Sequence, residues 1–351
     1  MTLHPSPHSL ADLGWSSDLL AQIDPDEVDR LIPARVAAVH RDRLSVLSAA
    51  GSQMLSLPPD LSAGAVAVGD WVLADPAISR VTRLLDRKSR IARRAAGEAS
   101  LEQLIVANVD TVFLVTSCNA EFNEARLERF LSLAHSGGVP PVIVLTKADT
   151  CDDPDTYLDR VRSIAPLVPV LVLNAKDPTA VDALRAWSFK GQTVAFLGTS
   201  GVGKSTLVKA LTGLDLAIGD IREADAKGRH TTTARELHPL PGGGWLIDTP
   251  GMRELRLSET AEGIDTAFAD IADLALTCRF NNCNHGNEPG CAVRAAISAG
   301  TLDPARLTRW RKLKDEDRTN SASMAVLRHK SRATGKIPRQ LKHAKQRLQD
   351  D

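Results

Sequence analysis

The sequence has few aromatic residues: phenylalanine, tryptophan and tyrosine together make up 4% of 351 residues, with a single tyrosine. Its cores must therefore be aliphatic, and a nucleic-acid surface built on stacked rings has little material. Net charge is also lacking, since 43 Lys and Arg balance 43 Asp and Glu. A polyanionic partner would have to be met by local clusters rather than by the protein as a whole. No apolar run approaches the length of a membrane span, and Met1–Leu10 has no charged stretch followed by an apolar core. The expectation is a cytoplasmic protein with no membrane partner. Cysteine is sparse, with five in all, but three of them fall within fourteen residues. Such clustering without a visible export signal points to metal rather than to disulfides.

What is present divides the chain into five parts. Residues 1–32 are weakly patterned, with Trp15, Leu19 and Leu20 suggesting a short amphipathic helix. Residues 33–96 contain short apolar or alternating runs (Ala34–Val39, Leu44–Leu47, Gln53–Leu57, Trp71–Ala74) broken by Gly, Pro and Asp. That pattern predicts a small β-barrel of the OB type, and SH3-like barrels share the signature. Residues 97–257 alternate strands and helices: strands Thr111–Thr116, Val142–Thr146, Val168–Leu173, Thr193–Leu197 and Trp245–Thr249, with helices at Ala125–Ala134, Tyr157–Ile164 and Ser205–Leu211. Continuous apolar strands separated by helices imply a parallel sheet covered on both faces. Residues 258–320 turn helical around the cysteines. Residues 321–351 form a basic tail in which Arg328–Arg347 holds eight Lys or Arg and no Asp or Glu. A second basic cluster is Arg87, Lys88, Arg90, Arg93 and Arg94.

The run Gly198-Thr199-Ser200-Gly201-Val202-Gly203-Lys204-Ser205, followed by Thr206, satisfies the phosphate-loop pattern and sits between an apolar strand and a helix. Its glycines let backbone N–H groups wrap phosphate oxygens. Lys204 supplies positive charge to the β- and γ-phosphates, and the Ser205 hydroxyl suits Mg²⁺. Asp248-Thr249-Pro250-Gly251 follows another apolar strand; Asp248 is placed to hold Mg²⁺ and Gly251 to donate its N–H to a γ-phosphate. Thr146-Lys147-Ala148-Asp149 closes a strand as well. A carboxylate there accepts two hydrogen bonds from the ring N–H and exocyclic amine of guanine, a donor pair that adenine lacks. Asp149 therefore predicts GTP over ATP, with Lys147 lying along the base. Asn174-Ala175-Lys176, at the end of the next strand, completes the base pocket through the Ala175 N–H. The base-reading motifs precede the phosphate loop, an order that parallel strands permit because their loops share one edge.

Near the carboxyl end, Cys278-x4-Cys283-x-His285-x5-Cys291 offers three thiolates and an imidazole. This set suits one tetrahedral Zn²⁺ with no open position, a structural site. Cys118 and Cys151 stand apart as ordinary thiols.

The order Thr146–Asp149, Asn174–Lys176, Gly198–Ser205, Asp248–Gly251 resembles that of the circularly permuted GTPases. Gly228-Arg-His-Thr-Thr-Thr233 and the cysteine cluster resemble one branch of them, the ribosome small subunit-dependent GTPase A (RsgA) family. The resemblance covers nearly the whole chain. It implies a factor that binds the 30S subunit late in assembly, with a GTPase that the subunit stimulates; 16S rRNA is the expected contact, and since nothing suggests an obligate dimer a monomer is expected. Asn174 departs from the family's more usual Ser. The place of a water-orienting Gln after the Asp248 motif is taken by Met252. His230 is the candidate to act instead, and among Thr231–Thr233 the expected partner of Mg²⁺ and the γ-phosphate is Thr232. Two other readings stay open on the residues alone: an ATP-dependent small-molecule kinase, and a zinc and barrel scaffold for RNA with vestigial hydrolysis.

Overall fold

The computed structural model describes residues 8–94, 102–213, 235–248, 257 and 260–322. Their contacts fall into two compact units, the larger with a barrel and a six-stranded sheet, the smaller with the cysteine cluster.

In the larger unit, the short helices α1 (Ser17–Leu20) and α2 (Pro25–Val28) precede a closed barrel. Its strands are β1 (Ile32–Val39), β2 (Arg43–Ser48), β3 (Gly51–Ser56), β4 (Trp71–Asp75) and β5 (Arg80–Leu84), in the order β1-β2-β3-β5-β4. Alternate residues such as Ala34, Val36, Leu44, Val46 and Val72 fill the interior, as a period of two requires. The strand β5 was not read in the sequence, since its Arg-Val-Thr-Arg-Leu leaves only Val81 fully buried. Closure between β3 and β5 rests on the single parallel pair Ser56↔Arg80. After the barrel, β6 (Arg90–Arg94) and β7 (Glu102–Ala107) pair as a separate ribbon, of which residues 93–103 count with the smaller unit.

The sheet follows: β8 (Thr111–Ser117), α3 (Glu124–Ser136), β9 (Pro141–Thr146), α4 (Pro154–Ile164), β10 (Val170–Val172), α5 (Pro178–Arg185), β11 (Thr193–Gly198), α6 (Lys204–Thr212), β12 (Leu237–Pro239) and β13 (Trp245–Ile247). Strand order is β10-β9-β8-β11-β13-β12, all parallel except β12. β9 and β11 are buried at every position, hence their continuous apolar sequences. Three of these helices start at side-chain caps: Asn123 accepts the Arg126 N–H at 2.9 Å at the start of α3, and Asp153 and Asp177 cap α4 and α5 in the same way. The edge strand β12 is three residues long and ends in proline, too short to be read from sequence. Glu236, just before it, bridges to Ala38 of β1, beside an irregularity in that strand's pairing. Next in the chain, α7 (Ala261–Ala267) packs on α3 so closely that a Cβ on Gly263 would lie 2.2 Å from the Ser132 carbonyl oxygen.

The smaller unit holds most of α8 (Ala269–Leu276), α9 (Ala292–Ser298) and a helix over residues 304–322. Arg306 on that helix forks onto Asp270 of α8 at 2.7 and 2.8 Å. Asp317 accepts from both the N–H and the hydroxyl of Thr260, at 2.8 and 2.9 Å.

Candidate nucleotide site and metal cluster

Because five of the six strands run parallel, the loops after β8, β9, β10, β11 and β13 leave from one edge of the sheet. Every nucleotide-binding residue expected from the sequence lies on that edge, apart from those outside the described residues: His230, the whole of Thr231–Thr233, Gly251 and Met252.

The phosphate loop begins where β11 ends. A Cβ on Gly198 would sit 2.5 Å from the Val115 carbonyl oxygen of β8, so only glycine lets the two central strands approach. Gly201 and Gly203 take φ of +81° and +94°, the left-handed region where glycine alone is unstrained. Val202 between them is buried and anchors the loop to the core. α6 starts at Lys204 with no side chain capping its first turn, which leaves amide donors for an anion. Lys204 Nζ donates to the Thr199 carbonyl across the loop, and Ser205 and Thr206 lie exposed beside it, as does Ser200.

The Thr146–Asp149 loop is tied to this one. The Thr146 hydroxyl lies 2.6 Å from the Val202 carbonyl oxygen, reaching from the end of β9 into the phosphate loop. Lys147 has φ of +59°, turning the chain so that Ala148–Thr150 forms a single 3-10 turn with Asp149 exposed on it. After β10, the Asn174 Oδ1 accepts the Lys176 N–H at 2.9 Å. This is how the departure at position 174 is accommodated: the amide side chain folds back on its own loop and leaves Ala175 buried between. At the end of β13, the Asp248 N–H donates to the Glu236 carbonyl at 3.2 Å, linking it to the residue that bridges to the barrel.

One neighbour was missed in the sequence. The loop after β8 brings the Glu121 carboxylate to 3.9 Å from a Cβ built on Gly201. Asn119 shapes this loop, accepting from the Ser117 hydroxyl at 2.9 Å and the Glu121 N–H at 3.0 Å. The only signal was positional: any loop at the carboxyl end of a parallel strand borders the site.

In the smaller unit, Cys278, Cys283, His285 and Cys291 bring their ligand atoms within 4.8 Å of one another. Cys278 and Cys291 sulfurs are 3.9 Å apart, and each lies 3.6 Å from His285 Nδ1. A tetrahedral ion with bonds of about 2.3 Å to sulfur requires sulfurs about 3.8 Å apart, so the donor set fits Zn²⁺. Backbone N–H groups of His285 and Arg294 point at the Cys283 and Cys291 sulfurs, both at 3.4 Å, an arrangement that favours thiolates. Burial opposes the charged form of Cys278, but the Ala292 and Val293 amides at the start of α9, together with the Cys283 and Cys291 side chains, lower its pKa. Cys118, by contrast, is buried at the end of β8, and desolvation pushes its thiol to about 11, in keeping with an inert core thiol.

The first basic cluster is less available than its sequence suggests. Arg87 forks onto the buried Asp70 carboxylate, both contacts at 2.7 Å, and Lys88 pairs with Asp110 at 3.0 Å. Arg93 donates to Gln103 at 3.0 Å. Arg87 is thus held by the barrel, Lys88 by the residue before β8, and Arg93 by its neighbour across the ribbon. The second cluster, in the tail, lies outside the described residues.

Comparison with known proteins agrees with this geometry. A model of the RsgA GTPase family matches residues 84–258. The small ribosomal subunit biogenesis GTPase RsgA of Mesorhizobium japonicum is 55% identical over 320 residues, 90% of this chain and 92% of its own. RsgA 2 of Vibrio parahaemolyticus is 46% identical over 349 residues, 99% of this chain and 97% of its own. The crystal structure of YjeQ from Thermotoga maritima is similar with a TM-score of 0.61 at 26% identity, over 81% of this chain and 97% of that one. YloQ, described as a circularly permuted GTPase, shares the fold with a TM-score of 0.56 at 24% identity, over 81% of this chain and 96% of that one.

Proposed function

Since this chain belongs to the RsgA GTPase family, we propose that it binds the small ribosomal subunit late in assembly and hydrolyses GTP to GDP and phosphate when the subunit stimulates it. The relatives' names carry the partner. The observation that carries the chemistry is the single sheet edge, on which the phosphate loop and the guanine-reading loop are joined by the Thr146–Val202 contact.

The residues take the following roles. Amides of Gly201–Ser205 and the start of α6 cradle the phosphates, and Lys204 leaves the Thr199 carbonyl to neutralise the β- and γ-oxygens. Asp149 accepts from the guanine N–H and amine, Lys147 lies along the base, and the Ala175 N–H closes the pocket between Asn174 and Lys176. Ser205, Asp248 and Thr232 would hold Mg²⁺, which would supply charge neutralisation at the phosphates. Gly251 donates to the γ-phosphate. Met252 has no polar atom to orient water, so His230 does so from the segment before β12. Cys278, Cys283, His285 and Cys291 bind one structural Zn²⁺. The chain acts as a cytoplasmic monomer. Its contacts with 16S rRNA come from the zinc module, the barrel surface and the basic tail. Trp71, the barrel's one aromatic residue, is buried beneath Trp15, so backbone and shape recognition replace base stacking.

The decisive test is GTP turnover by the purified protein alone, with 30S subunits and with 50S subunits. Stimulation by 30S alone is expected. Bound GTP with no stimulation would retain the nucleotide site and remove the ribosomal role. His230→Ala is expected to lower stimulated turnover at least tenfold while GTP affinity holds; unchanged turnover would take His230 out of the mechanism.

A further inference from the structure

At the opposite edge of the sheet from the nucleotide loops, about 20 Å away along β8 at ~3.3 Å per residue, the larger unit contains a cavity. Its volume is about 380 Å³, and it is bounded by the amino ends of β8 and β11, the outer face of β1 and β4, and the N-terminal segment. This lies within the range of ligand pockets, about 300–1,000 Å³. Its walls are fixed by close backbone approach: a Cβ on Gly14 would lie 2.6 Å from the Gly191 carbonyl oxygen, and one on Gly191 would lie 2.6 Å from that of Ala11. Trp15 meets Trp71 edge to face, ring centres 4.8 Å apart, and both line the cavity.

Arg35 of β1 also lines it. This side chain points out of the barrel, is 1% exposed, and lies 5.9 Å from the centre of the Trp71 ring. Its Nη1 donates to the Leu13 carbonyl at 2.6 Å, and its Nη2 donates to the Thr193 hydroxyl at 2.6 Å and the Asn108 carbonyl at 3.4 Å. All three acceptors are neutral, and the Nε–H has no partner. Among the described residues no carboxylate pairs with it. Asp110, the carboxylate whose field favours its charge, is engaged by Lys88 at 3.0 Å and by the Thr193 N–H at 2.8 Å. Burial lowers its pKa to about 10, so the guanidinium remains charged at neutral pH. A desolvated cation with neutral partners and an empty donor is unfavourable unless an anion completes it.

We propose that this cavity binds a compact organic anion, an acid group on a flat apolar body, with the acid meeting Arg35 and the flat body lying against Trp15. The head group is a carboxylate or a phosphate monoester. Lys190 and Lys88 stand at the rim, 70% and 65% exposed, paired with Asp12 at 2.8 Å and Asp110 at 3.0 Å. An occupant touches the barrel, the N-terminal segment and the sheet at once, and therefore stabilises the folded unit.

The test uses the full chain saturated with GDP and Mg²⁺, so that the phosphate loop is already filled. Benzoate, phenyl phosphate and neutral benzamide are titrated in turn, reading tryptophan fluorescence and melting temperature. At least one acid is expected to give saturable quenching and a raised melting temperature, with benzamide at least tenfold weaker. The two acids distinguish a carboxylate from a phosphate ligand. Ser16→Phe places a ring in the cavity while leaving Arg35 intact, and is expected to weaken the acid at least tenfold with GDP affinity unchanged. Arg35→Met is expected to do the same; if it does not fold, Ser16→Phe decides. Equal binding of benzamide, undiminished binding in Ser16→Phe, or no saturable response to either acid would overturn the proposal. Failure of GDP itself to bind would count against the nucleotide site, whose reading is independent of this one.

Discussion

An added methyl group at Gly198 meets a backbone oxygen at 2.5 Å, with no flexible side chain to give way. Gly198→Ala must therefore push β11 from β8, at a cost of about 1–3 kcal/mol by the measure of overpacked cores. Urea unfolding should show that loss, together with weakened GDP binding. Asp149 has a different role. Two hydrogen bonds to a charged acceptor are worth roughly 1.5–3 kcal/mol each, so Asp149→Asn should lower GTP affinity at least a hundredfold. It should gain xanthosine triphosphate, whose ring carbonyl replaces the amine; competition binding measures both. Such residues were legible because their chemistry fixes type and spacing together: glycines that must clear a strand, a lysine one position before Ser205. Glu121 was not, since its approach to Gly201 depends on a turn set by Asn119. Nor was the engagement of Arg87, because nothing in the sequence pairs it with Asp70, seventeen residues earlier.

Among the elements, α3 shows how burial can override helix electrostatics. His135 lies in its last turn, where the helix dipole favours a cation. Burial nevertheless lowers its pKa. The unfolded chain takes up the proton near pH 6.5, before the folded chain does, so this contribution to stability is complete above that value and is lost as pH falls through it toward the folded pKa. The urea midpoint should fall from pH 7 to 5.5, and less steeply in His135→Gln. The same helix accepts α7 through Gly263, where a methyl would meet Ser132 at 2.2 Å. Long elements with strong periods, such as α3, β9 and β11, were readable with ends shifted by a residue or two. β12 and the β6–β7 ribbon were not, because two or three alternations cannot be told from loop.

For the whole molecule, the cysteine cluster and the sheet lie in different compact units, and chemistry can separate them. Structural zinc contributes about 10 kcal/mol or more to small modules. Cys278→Ser should therefore lose one equivalent of zinc by atomic absorption and unfold the smaller unit, seen as lost helical circular dichroism, while GDP binding persists. The permuted order was legible from the motifs alone, since their sequence from Thr146 to Asp248 requires only that parallel strands share an edge. It has a consequence in time. β8 finds β9 at once, but the partner on its other side, from Thr111↔Val194, is made roughly 80 residues later, roughly 4–16 s at translation rates. A nascent chain thus displays the Thr146–Asp149 loop on a half-built sheet with β8 unpaired on one flank. Until β11 emerges, that flank of β8 has no strand to pair with.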